Sequence, residues 1–279
     1  MMGAAQAFET ILGETTLRFG WEMHAFGLMR NHFHLALTTL APNLGDGMHW
    51  LQTTFAVRFN RFRSENGHLF QGRYQSPLVQ DAAALIRVVD YIHLNPVKAK
   101  MVLPEKVADF RWSSLARFVK GPRPDWLTPN PWLQELGLSD TRPDWARYVD
   151  HLRMLAARPD EQQRQDCDDL TRGFAIGTTN WKQAIARKYS FRSLELDLPG
   201  PESSELKAAR WSELLTQSLQ LHGKSPLDIA QSRKGVGWKV SIALALRTNA
   251  GAPYRWIADA LAMGSPNSVR VAVCRLANM

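Results

Sequence analysis

Residues 29–37 read MRNHFHLAL and have the alternating pattern of a β-strand. Side chains along a strand point to opposite faces in turn, so His32 and His34 share one face while Phe33, Leu35 and Leu37 share the other. Such a strand can bury its apolar face and present two imidazoles side by side. Neutral imidazole is a common ligand of divalent metals, which makes the pair a candidate half of a metal site. A structural or merely exposed histidine pair is the commoner use of this pattern.

The flanking residues predict a small α+β domain around the histidine strand. In chain order the predicted elements are helix 4–18, strand 21–28, the histidine strand, helix 48–63, strand 69–76 and helix 82–93. Asp81 is the expected N-cap of the last helix, and Pro96 is expected to end or bend it. This order predicts a ferredoxin-like antiparallel sheet with helices on one face and with the first strand missing.

The helix over 48–63 has one continuous apolar stripe, formed by Met48, Leu51, Phe55, Phe59 and Phe62. Arg58, Arg61 and Arg63 lie on its last turns. Two interpretations of these arginines stay open. Cations are favourable at a helix C-terminus, and arginines also contact nucleic-acid phosphates, for which Arg58 and Arg61 are the candidates.

The composition suits a nucleic-acid partner. The net charge is +8 and the positive charge is concentrated toward the two ends of the chain. Two cysteines, Cys167 and Cys274, are too few and too far apart for a disulfide framework or a cysteine zinc site. No apolar run reaches the roughly 18 residues that a membrane span needs, and the N-terminus does not resemble a signal peptide. We therefore expect a soluble cytoplasmic protein with no membrane partner.

Changes in composition and residue pattern along the chain predict three regions, over residues 1–120, 121–203 and 204–279. A proline-dense stretch at 121–131 marks the first boundary, and the middle part reads as a helical connecting segment without evident chemistry. The last part predicts an all-helical domain that contains a helix-turn-helix, with a turn at 263–265. Its recognition helix would present three DNA-contacting side chains, Asn267, Ser268 and Arg270.

A second set of polar residues can complete the histidine site. Tyr91 and Asn95 are one helical turn apart, and Arg87 lies one turn earlier on the same stripe. If this helix packs against the histidine face of the sheet, three metal ligands converge beside a phenol, an arrangement that suits phosphoryl transfer. In the structural alternative, Tyr91 is an amphipathic core residue and Asn95 ends the helix.

Several segments resemble signature segments of the REP-associated tyrosine transposases, which are single-tyrosine transposases and endonucleases with a His-hydrophobe-His (HUH) motif. The segments with this resemblance are HAFGLMRNHFHL at 24–35, LFQGRY at 69–74, YIHLNPVK at 91–98, RWSS at 111–114 and the C-terminal stretch 256–264. They occur in order along most of the chain.

The resemblance implies a catalytic domain that binds hairpin-forming single-stranded DNA and cleaves it through a covalent 5′-phosphotyrosine. Tyr91 would be the nucleophile, and His32, His34 and Asn95 would hold Mg²⁺ or Mn²⁺. Further DNA contacts would come from Arg73, Arg87 and His93.

The family usually begins with a strand and a glycine-containing loop that this sequence lacks, so the resemblance implies an N-terminally truncated member. Loss of that strand would leave backbone groups of the sheet unpaired.

Two other functions stay open at this point. A domesticated or truncated protein could bind DNA without cleaving it, as a monomer or a homodimer. Alternatively, the histidine pair could be a structural or zinc-holding feature of an RNA-binding ferredoxin-like domain.

Overall fold

The computed structural model describes residues 2–72, 74–158, 174–190 and 201–277. Arg73, a predicted DNA contact, lies outside the described residues. The chain forms two compact units, residues 1–171 and residues 172–279. The first unit is a mixed α/β structure with a two-stranded antiparallel sheet, and the C-terminal region is helical.

The first unit contains the histidine strand and the helices and strands that precede and follow it in the chain. Its elements are α1 Met2–Phe19, β1 Trp21–Leu28, β2 Phe33–Thr39, α2 Leu44–Arg63, β3 Leu78–Val79, α3 Ala82–Lys98, a 3₁₀ helix Pro104–Asp109, α4 Ser114–Lys120, α5 Trp132–Glu135 and α6 Arg142–Ala156. The predicted helices and the hairpin strands are confirmed. A predicted strand over 69–76 is wrong for the described residues 69–72 and 74–76, none of which lies in a strand. Gly72 has a φ of 79°, which interrupts an extended chain.

The hairpin pairs β1 with β2 from Trp21 opposite Thr39 to Leu28 opposite Phe33, with an irregularity between Met23 and Ala25. His32 directly precedes β2, and His34 is its second residue.

Helices cover both faces of this hairpin, whereas the sequence predicted helices on one face. On one face, the Phe33 ring lies 4.8 Å from Phe8 of α1, and Phe8 lies 5.0 Å from Phe55 of α2. On the other face, α3 crosses close to β1, and a Cβ on Gly27 would lie 3.3 Å from Ile92. The hairpin is therefore held between two helical layers, which is how a pair of strands becomes stable.

The edge of β1 that faces away from β2 is bonded to residues from later in the chain. The N–H of Leu28 donates to the carbonyl of Trp112 (2.8 Å), and the N–H of Phe26 donates to Ser114 Oγ (2.9 Å). At the other end of the strand, the N–H of Thr128 donates to the carbonyl of Met23 (2.9 Å). These bonds satisfy part of the backbone groups along this edge of the hairpin.

Helix α3 begins as predicted and ends later than predicted. The Asp81 carboxylate accepts a hydrogen bond from the N–H of Ala84 (2.8 Å), which is the expected N-cap. The helix then continues through Pro96 to Lys98. Of the two outcomes predicted at Pro96, an end or a bend, the helix does not end there. The N–H groups of Ala99 and Met101 donate to the carbonyls of Asn95 and Pro96 and close the last turn.

The core of the first unit includes part of the predicted connecting segment. Trp132, Trp145, Tyr148 and Leu152 are buried and belong to the same core as the hairpin. The compact unit therefore extends beyond the predicted boundary at residue 120.

In the second unit, the described elements are β4 Ala175–Ile176, α7 Thr179–Ser190, α8 Pro201–Leu221, α9 Pro226–Gln231, α10 Gly237–Ala250, α11 Tyr254–Ala260 and α12 Pro266–Ala277. Its buried core includes Ile257, Ala258, Leu261, Val269 and Val273. Ser265 caps α12 by accepting a hydrogen bond from the N–H of Ser268 (3.2 Å). The assignment of α11 and α12 as a helix-turn-helix stays a prediction. None of the described helices is long and apolar enough to cross a membrane.

Candidate active site

Three of the predicted site residues lie side by side. The ring centroids of His32 and His34 are 5.0 Å apart, and those of His34 and Tyr91 are 5.3 Å apart, with edge-to-face geometry in both pairs. The hairpin supplies the two histidines, and α3 supplies the tyrosine from the opposite layer. His34 is thus the contact point between the strand and the helix.

The environment of His34 favours a neutral, metal-competent imidazole. Its Nε2 atom is buried and has no hydrogen-bond partner among the described residues. Burial and the neighbouring His32 lower the pKa of His34 to about 4. An uncharged imidazole with an unpartnered nitrogen is a favourable ligand and an unfavourable buried group, because a buried polar atom without a partner costs free energy.

His32 is more exposed than His34 and has a supporting neighbour. Its Nδ1 lies 2.8 Å from Oδ1 of Asn31. Burial also lowers the pKa of His32. If Nδ1 donates to Asn31, the lone pair of Nε2 remains for a ligand, which is the usual arrangement of metal-binding histidines.

Asn95 lies one turn after Tyr91 on α3 and is buried. Its Nδ2 atom has no hydrogen-bond partner within the described part of the chain. Rotation of the amide exchanges its nitrogen with its oxygen, so the same position can hold an acceptor oxygen. Two imidazoles and one amide oxygen are donors that fit a divalent cation. The described residues hold no cluster of three His, Cys, Asp or Glu side chains suited to a metal.

Tyr91 is half-buried, and a cation lies next to its ring. The Lys98 ammonium is 5.0 Å from the ring centroid. Positive charge near a phenol favours the phenolate, which is the nucleophilic form.

The side chains predicted to contact DNA differ in whether they are exposed and in whether they already pair with a carboxylate. Arg58 donates two hydrogen bonds to the Glu14 carboxylate, at 3.2 and 3.0 Å. Arg61 is exposed, and within the described ranges no carboxylate pairs with it. Arg87 is also exposed. In the second unit, the side chains predicted to contact DNA are all exposed, namely Asn267, Ser268 and Arg270.

His93 is not available to a phosphate, which corrects its prediction as a DNA contact. It is fully buried, and burial lowers its pKa to about 3. Its Nδ1 lies 2.9 Å from the Tyr148 hydroxyl, and its Nε2 lies 2.8 Å from Ser114 Oγ. His93 is therefore a hydrogen-bonded core residue.

A buried polar network that the sequence did not predict holds α3 in place. The Tyr148 hydroxyl donates to Oδ1 of Asp90 (2.9 Å), and Oδ2 of Asp90 lies 2.9 Å from Nε2 of His151. Together with His93 and Ser114, these groups connect α3 to α4, α6 and β1. Burial and the Asp90 carboxylate raise the pKa of Tyr148, and the hydrogen bond to Asp90 raises the pKa of His151. The hydrogen-bonded pairs of this network are separated by 21 to 61 positions in the sequence. No local sequence spacing could therefore have predicted it.

Among curated proteins and solved structures, none matches the chain significantly. A protein-family model does match: residues 3–95 match the family described as transposase, IS200 like. This third of the chain includes the hairpin, both histidines, Tyr91 and Asn95. The segment that builds the candidate site is therefore similar to IS200-like transposases, and this match supports the transposase family.

Proposed function

We propose that the protein is a transposase of the REP-associated tyrosine type that nicks and rejoins single-stranded, hairpin-forming DNA through Tyr91. The observation that carries the proposal is the position of His34, whose ring lies beside both His32 and Tyr91 and whose buried Nε2 lacks a partner. Similarity of residues 3–95 to IS200-like transposases supports the same chemistry.

His32, His34 and Asn95 are the residues that would hold Mg²⁺ or Mn²⁺. Such an ion, when bound, polarises a phosphate oxygen and stabilises the charge that develops on it. The low pKa of His34 keeps its imidazole neutral at physiological pH.

In the proposed step, the Tyr91 oxygen forms a bond to a backbone phosphorus and the bond from phosphorus to the 3′ oxygen breaks. The phenol loses its proton to solvent, and the leaving 3′ oxygen takes up a proton. The products are a 5′-phosphotyrosine and a free 3′-hydroxyl. Attack of a 3′-hydroxyl on this ester reverses the step, so strands are rejoined without an external energy source.

Two other groups have roles in this proposal. Lys98 stabilises the phenolate of Tyr91, next to which its ammonium lies. The exposed side chains at the start of α12 (Asn267, Ser268 and Arg270) bind DNA as part of a helix-turn-helix.

The proposal is tested by incubating the protein with labelled hairpin oligonucleotides and Mg²⁺ or Mn²⁺. Wild-type protein should nick the DNA, and the Tyr91→Phe variant should bind it without nicking. Full nicking by Tyr91→Phe would overturn the assignment of the nucleophile. Binding of hairpin DNA by the wild type without any nicking would favour a catalytically inactive DNA-binding protein instead.

A further inference from the structure

The last turn of α2 leaves an aromatic side chain in solvent. The apolar stripe of this helix runs from Met48 to Phe62, and the structure buries Met48 and Leu51. Phe62 lies on the same stripe but is 86% exposed, because the end of α2 extends past the core. A phenylalanine this exposed gives up the free energy that its burial would contribute, which makes it a candidate binding residue.

Cations flank this ring. Arg58 precedes Phe62 by one turn, and Arg63 follows it directly. The Arg63 guanidinium lies 5.8 Å from the ring centroid of Phe59. We refer to Arg58, Phe59, Phe62 and Arg63 as the α2 tip. It combines exposed aromatic surface with guanidinium groups, although Glu14 and Glu65 partly neutralise these.

A row of aromatic contacts connects the α2 tip to the apolar face of the hairpin. Phe59 lies 5.7 Å from Phe55, and Phe55 lies 6.1 Å from Phe70. Phe70 in turn lies 6.1 Å from Phe33, the residue between the two histidines. The α2 tip therefore packs through this row onto the Phe33 face of the hairpin, and the two histidines lie on the opposite face of the same strand.

We infer that the α2 tip binds single-stranded DNA, with one base stacked on the Phe62 ring. This inference rests on the proposed function. Unpaired bases offer free aromatic faces, and stacking on exposed aromatic side chains beside cations is a general mode of single-strand binding. A duplex keeps its base faces stacked internally, so the occupant is an unpaired strand.

The test measures binding without cleavage. Fluorescence anisotropy of a fluorescein-labelled thymidine oligonucleotide is recorded in EDTA, with the full chain carrying Tyr91→Phe. Adding Phe62→Ala should weaken binding about tenfold, as expected for loss of one stacked base. Phe62→Tyr should restore the affinity, and Phe62→Leu should not. Leu17→Ala is the matched control, because Leu17 is an exposed apolar residue (71%) on α1.

A second series locates the base. Abasic sites placed one at a time along the strand should weaken binding at one position, and Phe62→Ala should remove that effect. Unchanged affinity of Phe62→Ala, or full affinity of Phe62→Leu, would overturn the inference and leave the proposed function standing. If the Tyr91→Phe protein with Phe62 unchanged binds no single strand, both the inference and the proposed function would be overturned. Tighter binding of a uridine oligonucleotide, or Phe62-dependent self-association without an effect on DNA affinity, would also overturn the inference.

Discussion

At the residue scale, the candidate site depends on groups whose charge is set by burial. His34 has an unpartnered nitrogen and a pKa of about 4, and Tyr91 has a cation next to its ring. None of these features is expected to stabilise the fold. The neutral, unpartnered nitrogen of His34 suits the binding of a divalent cation, and the cation beside Tyr91 suits the formation of a phenolate. This combination is what we expect of a catalytic site and not of a structural histidine pair.

The His34 pKa predicts how the stability of the metal-free protein depends on pH. In the folded state this pKa is about 4, below the ordinary value of 6.5, so the unfolded chain binds more protons between these values. The free energy of unfolding should therefore fall as pH drops from about 6.5 to about 4. His93, with a pKa of about 3, adds to the same trend.

Urea titrations at several pH values check this prediction. Compared with the wild type, His34→Gln should show a smaller fall in the free energy of unfolding over that pH range. Parallel pH dependence in the two proteins would contradict it.

Lys98 is expected to assist the nucleophile rather than to bind DNA. Lys98→Met should slow covalent adduct formation about tenfold at neutral pH, the size expected for loss of one cation beside an aromatic ring. Lys98→Arg should retain most of the rate. Lys100→Met, an exposed neighbour just past α3, is the control. Equal rates for Lys98→Met and the wild type would contradict this role.

At the scale of the elements, α3 carries the nucleophile, and a buried network fixes its position. Asp90 and His93 flank Tyr91 in sequence and bond to Tyr148 of α6. The helix that presents Tyr91 on one side is thus held by hydrogen bonds on the other side.

Removing one hydroxyl tests this network. Tyr148→Phe deletes the group between Asp90 and His93 and should lower the free energy of unfolding by about 1–3 kcal/mol, since buried partners lose a hydrogen bond. Chemical denaturation measures the change. Tyr74→Phe, a half-buried tyrosine outside the network, should cost less. An unchanged stability of Tyr148→Phe would show that the network does not contribute.

The sequence predicted the elements well where local patterns determine them. Alternation located both hairpin strands, and Asp81 located the start of α3. It failed at 69–76, where the positive φ of Gly72 interrupts an extended chain.

The candidate site was predictable in part for the same reason. The spacing of His32 and His34 and of Tyr91 and Asn95 is local, so the sequence shows it. Other features of the site join distant parts of the chain, namely the packing of α3 against the hairpin and the hydrogen bonds of His93 to Tyr148 and Ser114. Sequence spacing does not predict such contacts.

At the scale of the whole molecule, the chain forms two compact units with different expected roles. The first unit holds the candidate nucleophile and metal ligands. In the second unit, Arg270 at the start of α12 is an exposed candidate for phosphate contact. The net charge of +8 suits the DNA partner that both roles require.

This division predicts separable effects on binding and chemistry. Arg270→Ala should weaken binding of the full-length protein to DNA and reduce the salt dependence of binding by about one unit of slope. The nicking rate at saturating DNA should not change. Arg233→Ala, which removes an exposed charge between α9 and α10, is the control. Filter binding at several salt concentrations distinguishes the two variants, and equal slopes for both would contradict a specific role for Arg270.

The central claim is that Tyr91 forms a covalent bond to DNA. The most direct measurement is mass spectrometry of the protein after incubation with a hairpin oligonucleotide and Mn²⁺, followed by nuclease and protease digestion. The proposal predicts a nucleotide attached through its 5′-phosphate to the peptide that contains Tyr91, and no adduct in Tyr91→Phe. An adduct on another residue, an attachment through a 3′-phosphate, or an adduct that persists in Tyr91→Phe would contradict it.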